Sequence, residues 1–262
     1  MGWPSEGIVR HCPRLAAVAL TIAGGASSGC SLLYSTDAIS SQTADAGPEG
    51  GAGGPSLCDA SSFVFCDGLE SGFGATPVGN GGGAPTLESA RVYRGQFALL
   101  SSMPATTAGS NMAAQILASQ SWPAHLFVRF FGYLPSPWPV GADLFTALDG
   151  TNNGVALYLT ENDAALSIIN FGPSTNGIAI SSTRAPLAQW LCFEMEVDST
   201  GQNVNVWMNG SMVNDLSGAT PIGDPQLLSV GLLYDSPPAA WPAVDAWFDE
   251  VAVDTSRIGC LR

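Results

Sequence analysis

From Trp190 to Asp198 the chain alternates without a break, with Leu191, Phe193, Met195 and Val197 apolar and Cys192, Glu194, Glu196 and Asp198 between them. A repeat of two places the first set on one side of an extended strand and the second on the other, a pattern that a helix cannot satisfy. After Ser199-Thr200-Gly201-Gln202-Asn203 comes a second alternation, Val204, Val206 and Met208 against Asn205, Trp207 and Asn209, stopped by Gly210. Two such runs around a short Gly-containing loop predict a β-hairpin. Pairing Val197 with Val204 sets Glu194 opposite Trp207 and Glu196 opposite Asn205. All four then project away from the Leu191, Phe193 and Met195 face.

Further short apolar stretches at 98–101, 126–133, 143–148, 155–160, 165–170, 226–233 and 246–253 are cut by Gly, Pro, Asn and Asp. Only 110–120 hints at a helix. Many short strands at close spacing predict an all-β, two-sheet antiparallel sandwich.

Four segments carry a family resemblance. Phe65-Cys66-Asp67-Gly68-Leu69-Glu70-Ser71-Gly72 resembles the opening strand of concanavalin A-like (laminin-G-like) jelly rolls, and Arg94-Gly95-Gln96-Phe97-Ala98-Leu99 the strand that follows. The stretch from Trp190 to Gly210 is similar to the family's Trp-led hairpin. Trp247-Phe248-Asp249-Glu250-Val251-Ala252-Val253 resembles its closing strand. The matches run in the expected order across 63–260. The resemblance implies a jelly roll of two antiparallel sheets, the concave one often holding a glycan.

The N-terminal part reads as an address. Arg10 and Arg14 precede an apolar and small-residue run from Leu15 to Ala26, the layout of an export signal and too short for a comfortable transmembrane helix. Gly24, Gly25 and Gly29 argue against a buried helix of the domain. Ser27-Ser28-Gly29-Cys30 resembles a bacterial lipobox, with Ser27 where Leu is usual. That resemblance implies diacylglycerol on Cys30, and Ser31 after it does not oppose outer-membrane delivery. Cleavage nearby without a lipid is the alternative, leaving a periplasmic or secreted protein. Residues 1–29 are thus expected to be a signal peptide, 30–57 a flexible tether rich in Gly, Ser, Ala and Pro, and 58–262 the domain. The tether has almost nothing to bury and cannot offset its ordering entropy.

Of six cysteines, Cys12 leaves with the signal and Cys30 is the acylation candidate. Cys58, Cys66, Cys192 and Cys260 remain, an even number suited to an oxidising compartment. Four cysteines allow three pairings; the favoured one is Cys58–Cys66 with Cys192–Cys260. Zinc is a poor match, since there is no C-x-x-C and His125 is the one histidine left after cleavage.

The formal net charge is −14, with eight basic residues, all arginine. That excludes the cationic footprint of nucleic-acid binding and adsorption to lipid through a basic patch. Any membrane contact must come from the lipid anchor. For a ligand, Trp207 beside Glu194, Glu196 and Asn205 offers a flat apolar face with hydrogen-bonding groups around it, which suits a sugar. These residues are equally an ordinary solvent face, with Trp207 under a loop. Trp138 and Trp241 sit between prolines, either as rigid rim aromatics or as plugs closing the sandwich.

Catalysis has thin support. Glycoside hydrolases of this jelly-roll type carry Glu-x-Asp-x-Glu on one strand, whereas Glu194-Met195-Glu196-Val197-Asp198 has the spacing in another residue order and on the Trp-led strand. A lyase would draw on Tyr133, Tyr158, Arg129, Arg184 or His125. A Ser-His-Asp triad has no G-x-S-x-G elbow. Calcium has two candidate clusters, Asp149–Gly154 and Asp249-Glu250, each short of the six to eight oxygens that calcium takes. The expectation is an exported, lipid-anchored, non-catalytic β-sandwich module with carbohydrate as its candidate ligand. A polysaccharide-degrading hydrolase or lyase and a structural or protein-contact module are the alternatives.

Overall fold

The computed structural model describes residues 54–59, 62–172, 177–234 and 239–260. The segment read as an export signal, the acylation candidate Cys30 and the expected tether through residue 53 lie outside the described residues.

Among the described residues sixteen strands account for the regular structure: β1 Phe65–Asp67, β2 Thr76–Asn80, β3 Ala84–Glu88, β4 Ala98–Met103, β5 Met112–Ser119, β6 His125–Tyr133, β7 Ala142–Leu148 and β8 Gly154–Leu159, then β9 Ala165–Phe171, β10 Gly177–Arg184, β11 Trp190–Asp198, β12 Asn203–Met208, β13 Ser211–Met212, β14 Gly218–Ala219, β15 Leu227–Tyr234 and β16 Val244–Asp254. One turn of 3-10 helix spans Asn214–Leu216. The strands form two antiparallel sheets. One runs β13-β12-β11-β6-β16-β4-β3, with β1 on β16 and β14 on β12; the other runs β10-β9-β8-β7-β15-β5-β2. This is the two-sheet jelly-roll sandwich that the alternation and the resemblance predict.

Phe130, Phe193 and Phe248 of the first sheet and Phe145 of the second are fully buried between the layers. Phe130 meets Phe145 across the interface with ring centroids 6.4 Å apart. Leu191, Met195 and Val197 join the same core, so the inward half of the alternation is the half that leaves water. Burying a large apolar side chain contributes about 1.5–3 kcal/mol.

The helical hint at 110–120 is overturned. Met112, Ala114 and Ile116 all enter the core, spaced by two along β5, which lies between β15 and β2. Helix-favouring alanines are overridden where pairing on both sides supplies the backbone hydrogen bonds. Five strands went unread from the sequence: β2, β3, β10 and the two-residue β13 and β14. The first three end their sheets, where Pro77 and Pro85 do not break a two-sided ladder.

Candidate functional site

The hairpin has the predicted register, with Glu194 opposite Trp207, Glu196 opposite Asn205 and Val197 opposite Val204. Those side chains do point away from the core, but outward here does not mean exposed. After β16 the chain turns back across this face and is joined to β11 by the Cys192–Cys260 disulfide. Glu194 is wholly buried beneath this segment. It accepts the N–H groups of Ile258 at 2.6 Å and Gly259 at 3.0 Å, and the Nε–H of Arg257 at 3.1 Å. Trp207 is 7% exposed, packed with Phe127 and Ile258, and the Arg257 guanidinium lies 4.6 Å above its ring. The open stacking face expected of Trp207 is therefore corrected: its apolar area is already used by the C-terminal cover.

Glu196 is spoken for as well. One oxygen hydrogen-bonds His125 Nε2 at 2.7 Å and the other accepts Asn205 Nδ2 at 2.6 Å. Trp138 is buried in the main core. Trp241 packs edge-on to Tyr234 at 5.2 Å and donates Nε1–H to Glu161 at 2.7 Å. Both tryptophans serve as plugs, and the rim alternative is set aside. Arg129 and Tyr158, candidate lyase groups, stand on different sheets, and Arg184 is paired with Asp163 at 2.8 Å.

The acidic residues of the family-like motifs have a common task. Asp67 accepts the N–H groups of Leu69 and Gly74. Glu70 accepts those of Gln96 and Phe97. Asp249 holds Tyr93 and Arg94, and Glu250 holds Leu57 and the Ser56 hydroxyl. Asp249 and Glu250 tie segments far away in sequence to β16, Glu70 reaches the loop before β4, and Asp67 closes the loop that follows its own strand. Gly95 is required for one of them: its φ is 71°, and an added Cβ would fall 2.0 Å from a Glu70 oxygen. A bulge in β16, where Glu250 adopts φ 54°, sets Asp249 and Glu250 both between the inward Phe248 and Val251. Burial pushes the Asp249 carboxyl well above its ordinary range and raises Glu250 too. The Asp249-Glu250 cluster thus faces N–H donors. Asp149 likewise closes its own turn onto Thr151 and Asn153. Burial opposes its ionisation, but these hydrogen bonds outweigh it and hold its pKa below the usual range. Among the described residues no group of three His, Cys, Asp or Glu is placed to hold a metal ion.

A different part of the same outward face is open. Trp190 stands opposite Tyr133, Tyr133 opposite Trp247, Trp247 opposite Leu100, and Leu100 opposite Thr86. These five residues form one row across β11, β6, β16, β4 and β3. Trp190, Tyr133, Trp247 and Leu100 are each partly exposed. Neighbouring strands are about 4.8 Å apart, so the row brings the aromatic rings into contact: Tyr133 lies 5.8 Å from Trp190 and 5.9 Å from Trp247, both edge to face. Tyr93, stacked on Phe131 at 3.7 Å, meets Trp190 edge to face at 5.8 Å. Glu88 accepts the Trp247 Nε1–H at 2.8 Å. The Arg91 guanidinium lies 3.8 Å from the Tyr133 ring centre and 4.3 Å from that of Trp247.

Of these residues the sequence singled out Tyr133 alone, and that as a candidate lyase group rather than part of a binding surface, although one further signal was present. Trp190 lies four positions before Glu194 and so shares its face. Tyr133, Trp247 and Arg91 join it only through strand order.

No family model matches the chain, and no curated protein matches it either. Solved structures do resemble it. The cellulose-induced protein Cip1 superposes with a TM-score of 0.61 at 15% identity over 75% of this chain and 100% of that one. An endo-β-1,4-glucuronan lyase from the fungus Trichoderma reesei gives 0.56 at 16% identity, covering 74% of this chain and 96% of the lyase. A sialidase gives 0.52 at 13% identity; this chain covers 19% of its length. At such identities the likeness establishes the shared sandwich fold, while function has to be argued from the side chains.

Proposed function

We propose that the domain is a non-catalytic carbohydrate-binding module, exported and anchored through a lipid on Cys30, that takes a saccharide on the Trp190–Tyr133–Trp247 row. The observation that carries this reading is the row itself. Three aromatic side chains on adjacent strands stay partly exposed while Trp207, Trp138 and Trp241 are buried. A sugar ring has an apolar C–H face for such edges and faces, and hydroxyls for Glu88 and Arg91 at its rim. Cip1, the glucuronan lyase and the sialidase all bear names that concern carbohydrate, which supports the ligand class. Two disulfides suit an oxidising compartment outside the cytoplasm.

A retaining glycosidase needs two reachable carboxyls about 5–5.5 Å apart. Glu194 and Glu196 share a face, yet Glu194 is sealed under residues 257–259 and Glu196 is bonded to His125 and Asn205. This supports binding over cleavage.

Glycan arrays with the purified domain test the reading. Binding to a saccharide class is expected, and Trp190→Ala or Trp247→Ala should weaken it about tenfold, a loss of about 1.4 kcal/mol. Absence of binding at millimolar saccharide, with and without calcium, would end it. Release of reducing ends or unsaturated uronates from any polysaccharide would replace the binding module with an enzyme. For the anchor, palmitate labelling of the full chain should disappear in Cys30→Ala, and unlabelled wild type would remove the lipid from the proposal.

A further inference from the structure

We infer that the saccharide held by this row is acidic and that Arg91 receives its carboxylate; the inference rests on the carbohydrate reading above and adds the charge of the ligand. Arg91 is fixed by two rings, Tyr133 and Trp247, yet among the described residues it has no hydrogen-bond or ion-pair partner. That is unusual company for an arginine in a chain with 22 acidic and eight basic residues. Arg184 takes Asp163 and Arg257 takes Glu194, while Arg129 donates to the Glu250 carbonyl. Glu88, the acid nearest in the row's hydrogen bonding, already accepts the indole N–H of Trp247.

The geometry restricts what can complete the site. The Tyr133 and Trp247 rings stand at 88° to each other, so the Arg91 guanidinium, 3.8 and 4.3 Å from their centres, is flanked by surfaces that attract its charge but leave its in-plane N–H donors without an acceptor. Two parallel donors in a plane match the two oxygens of a carboxylate, whereas a sugar hydroxyl meets one of them. A uronic acid unit carries both parts, a carboxylate and a ring whose C–H face can rest on Trp190 or Trp247. The attraction must be local, because the chain's net charge of −14 repels anions at long range. Near-physiological salt, which shortens that repulsion to about 8 Å, is the fitting assay condition.

The test titrates the domain at that salt concentration with oligogalacturonate, oligoglucuronate and alginate fragments. Each is compared with its carboxyl-reduced neutral counterpart of the same linkage. Wild type should bind at least one uronate about tenfold more tightly than its reduced form. Arg91→Gln should erase the preference, leaving equal weak binding to both, and Arg91→Lys, a point charge without the fork, should retain part of it. Melting temperatures of both variants within a few degrees of wild type would show that the change is local; should the glutamine variant not fold, the lysine variant and the reduced ligands carry the test. Equal wild-type affinity for acidic and reduced forms overturns the charge assignment and leaves carbohydrate binding standing. Undiminished preference in Arg91→Gln removes Arg91 from it. Binding of acidic peptides but no saccharide overturns both this inference and the function it rests on.

Discussion

Trp207 and Trp190 lie on one sheet, on its outward face, in the two strands of one hairpin, and they end in opposite circumstances. Trp207 is sealed under Arg257 and Ile258, while Trp190 stays partly exposed beside Tyr133. The two regions differ in what crosses them. Over Trp207 runs a segment secured by Glu194 and by a disulfide; beside Trp190 the neighbours are other rings, and over the next two of the row lies a guanidinium with no hydrogen-bond or ion-pair partner among the described residues. The first region uses its polar groups to hold the protein together, and the second leaves them available. An outward aromatic is therefore a ligand candidate only after the covers have been accounted for.

The sharpest way to break this contrast is to remove each ring in turn. Trp207→Ala opens a cavity under the cover and should cost about 3–5 kcal/mol, lowering the melting temperature by roughly 10 °C at about 2–4 °C per kcal/mol. Saccharide affinity of the folded protein should hardly move. Trp190→Ala should shift melting by only a few degrees and weaken binding about tenfold. A reversed pattern in calorimetry and titration would undo the assignment of the two regions.

Next in size is the pair Glu194→Gln and Glu196→Gln. Glutamine at 194 keeps one acceptor oxygen where two oxygens took three donors, and leaves buried N–H groups short of a partner, a loss of about 1.5–3 kcal/mol. At 196, nearer solvent, the same change should cost less than about 1 kcal/mol. Equal urea midpoints for the two variants would mean that the C-terminal cover does not depend on its carboxylate.

The smallest effect is in pH. Asp249 and Glu250 have folded pKa values raised by burial, so the folded state holds their protons more tightly than the unfolded chain. Stability must then fall as pH rises above the ordinary carboxylate value of about 4. Asp163 and Asp215 are shifted the other way by hydrogen bonds from Thr160 and Ser181; what they contribute is present above that value and lost as pH falls below it. Melting temperature should therefore peak in mildly acid buffer, and Asp249→Asn should flatten the decline toward neutral pH at a lower melting temperature throughout. A steady rise from pH 5 to pH 8 in wild type would contradict it.

Much of the fold was legible beforehand for a local reason. Alternation along 190–198 and 204–208 announces which side of each strand is apolar, and the loop between them sets the register, so Glu194 could be placed opposite Trp207 from spacing alone. Edge strands such as 76–80 and 84–88 each carry a Pro and bury little, which leaves a weak pattern. Residues 112–119 alternate too, but alanine blurs the contrast between inward and outward positions. The row that forms the candidate site was half legible. Trp190 falls on the expected face, whereas its contact with Tyr133 and Trp247 depends on β6 lying between β11 and β16.

By itself, then, the sequence determined the side toward which the residues of its clearly alternating strands point, because a two-residue repeat is a property of the extended backbone and needs no partner. Which outward residues meet solvent was decided only in three dimensions. The groups that cover Glu194 come from 64 and 65 positions away, and those that reach Glu250 from more than 190. No local pattern carries information over such separations. Packing brought those segments over one end of the face and left Trp190, Tyr133, Trp247 and Arg91 at the other.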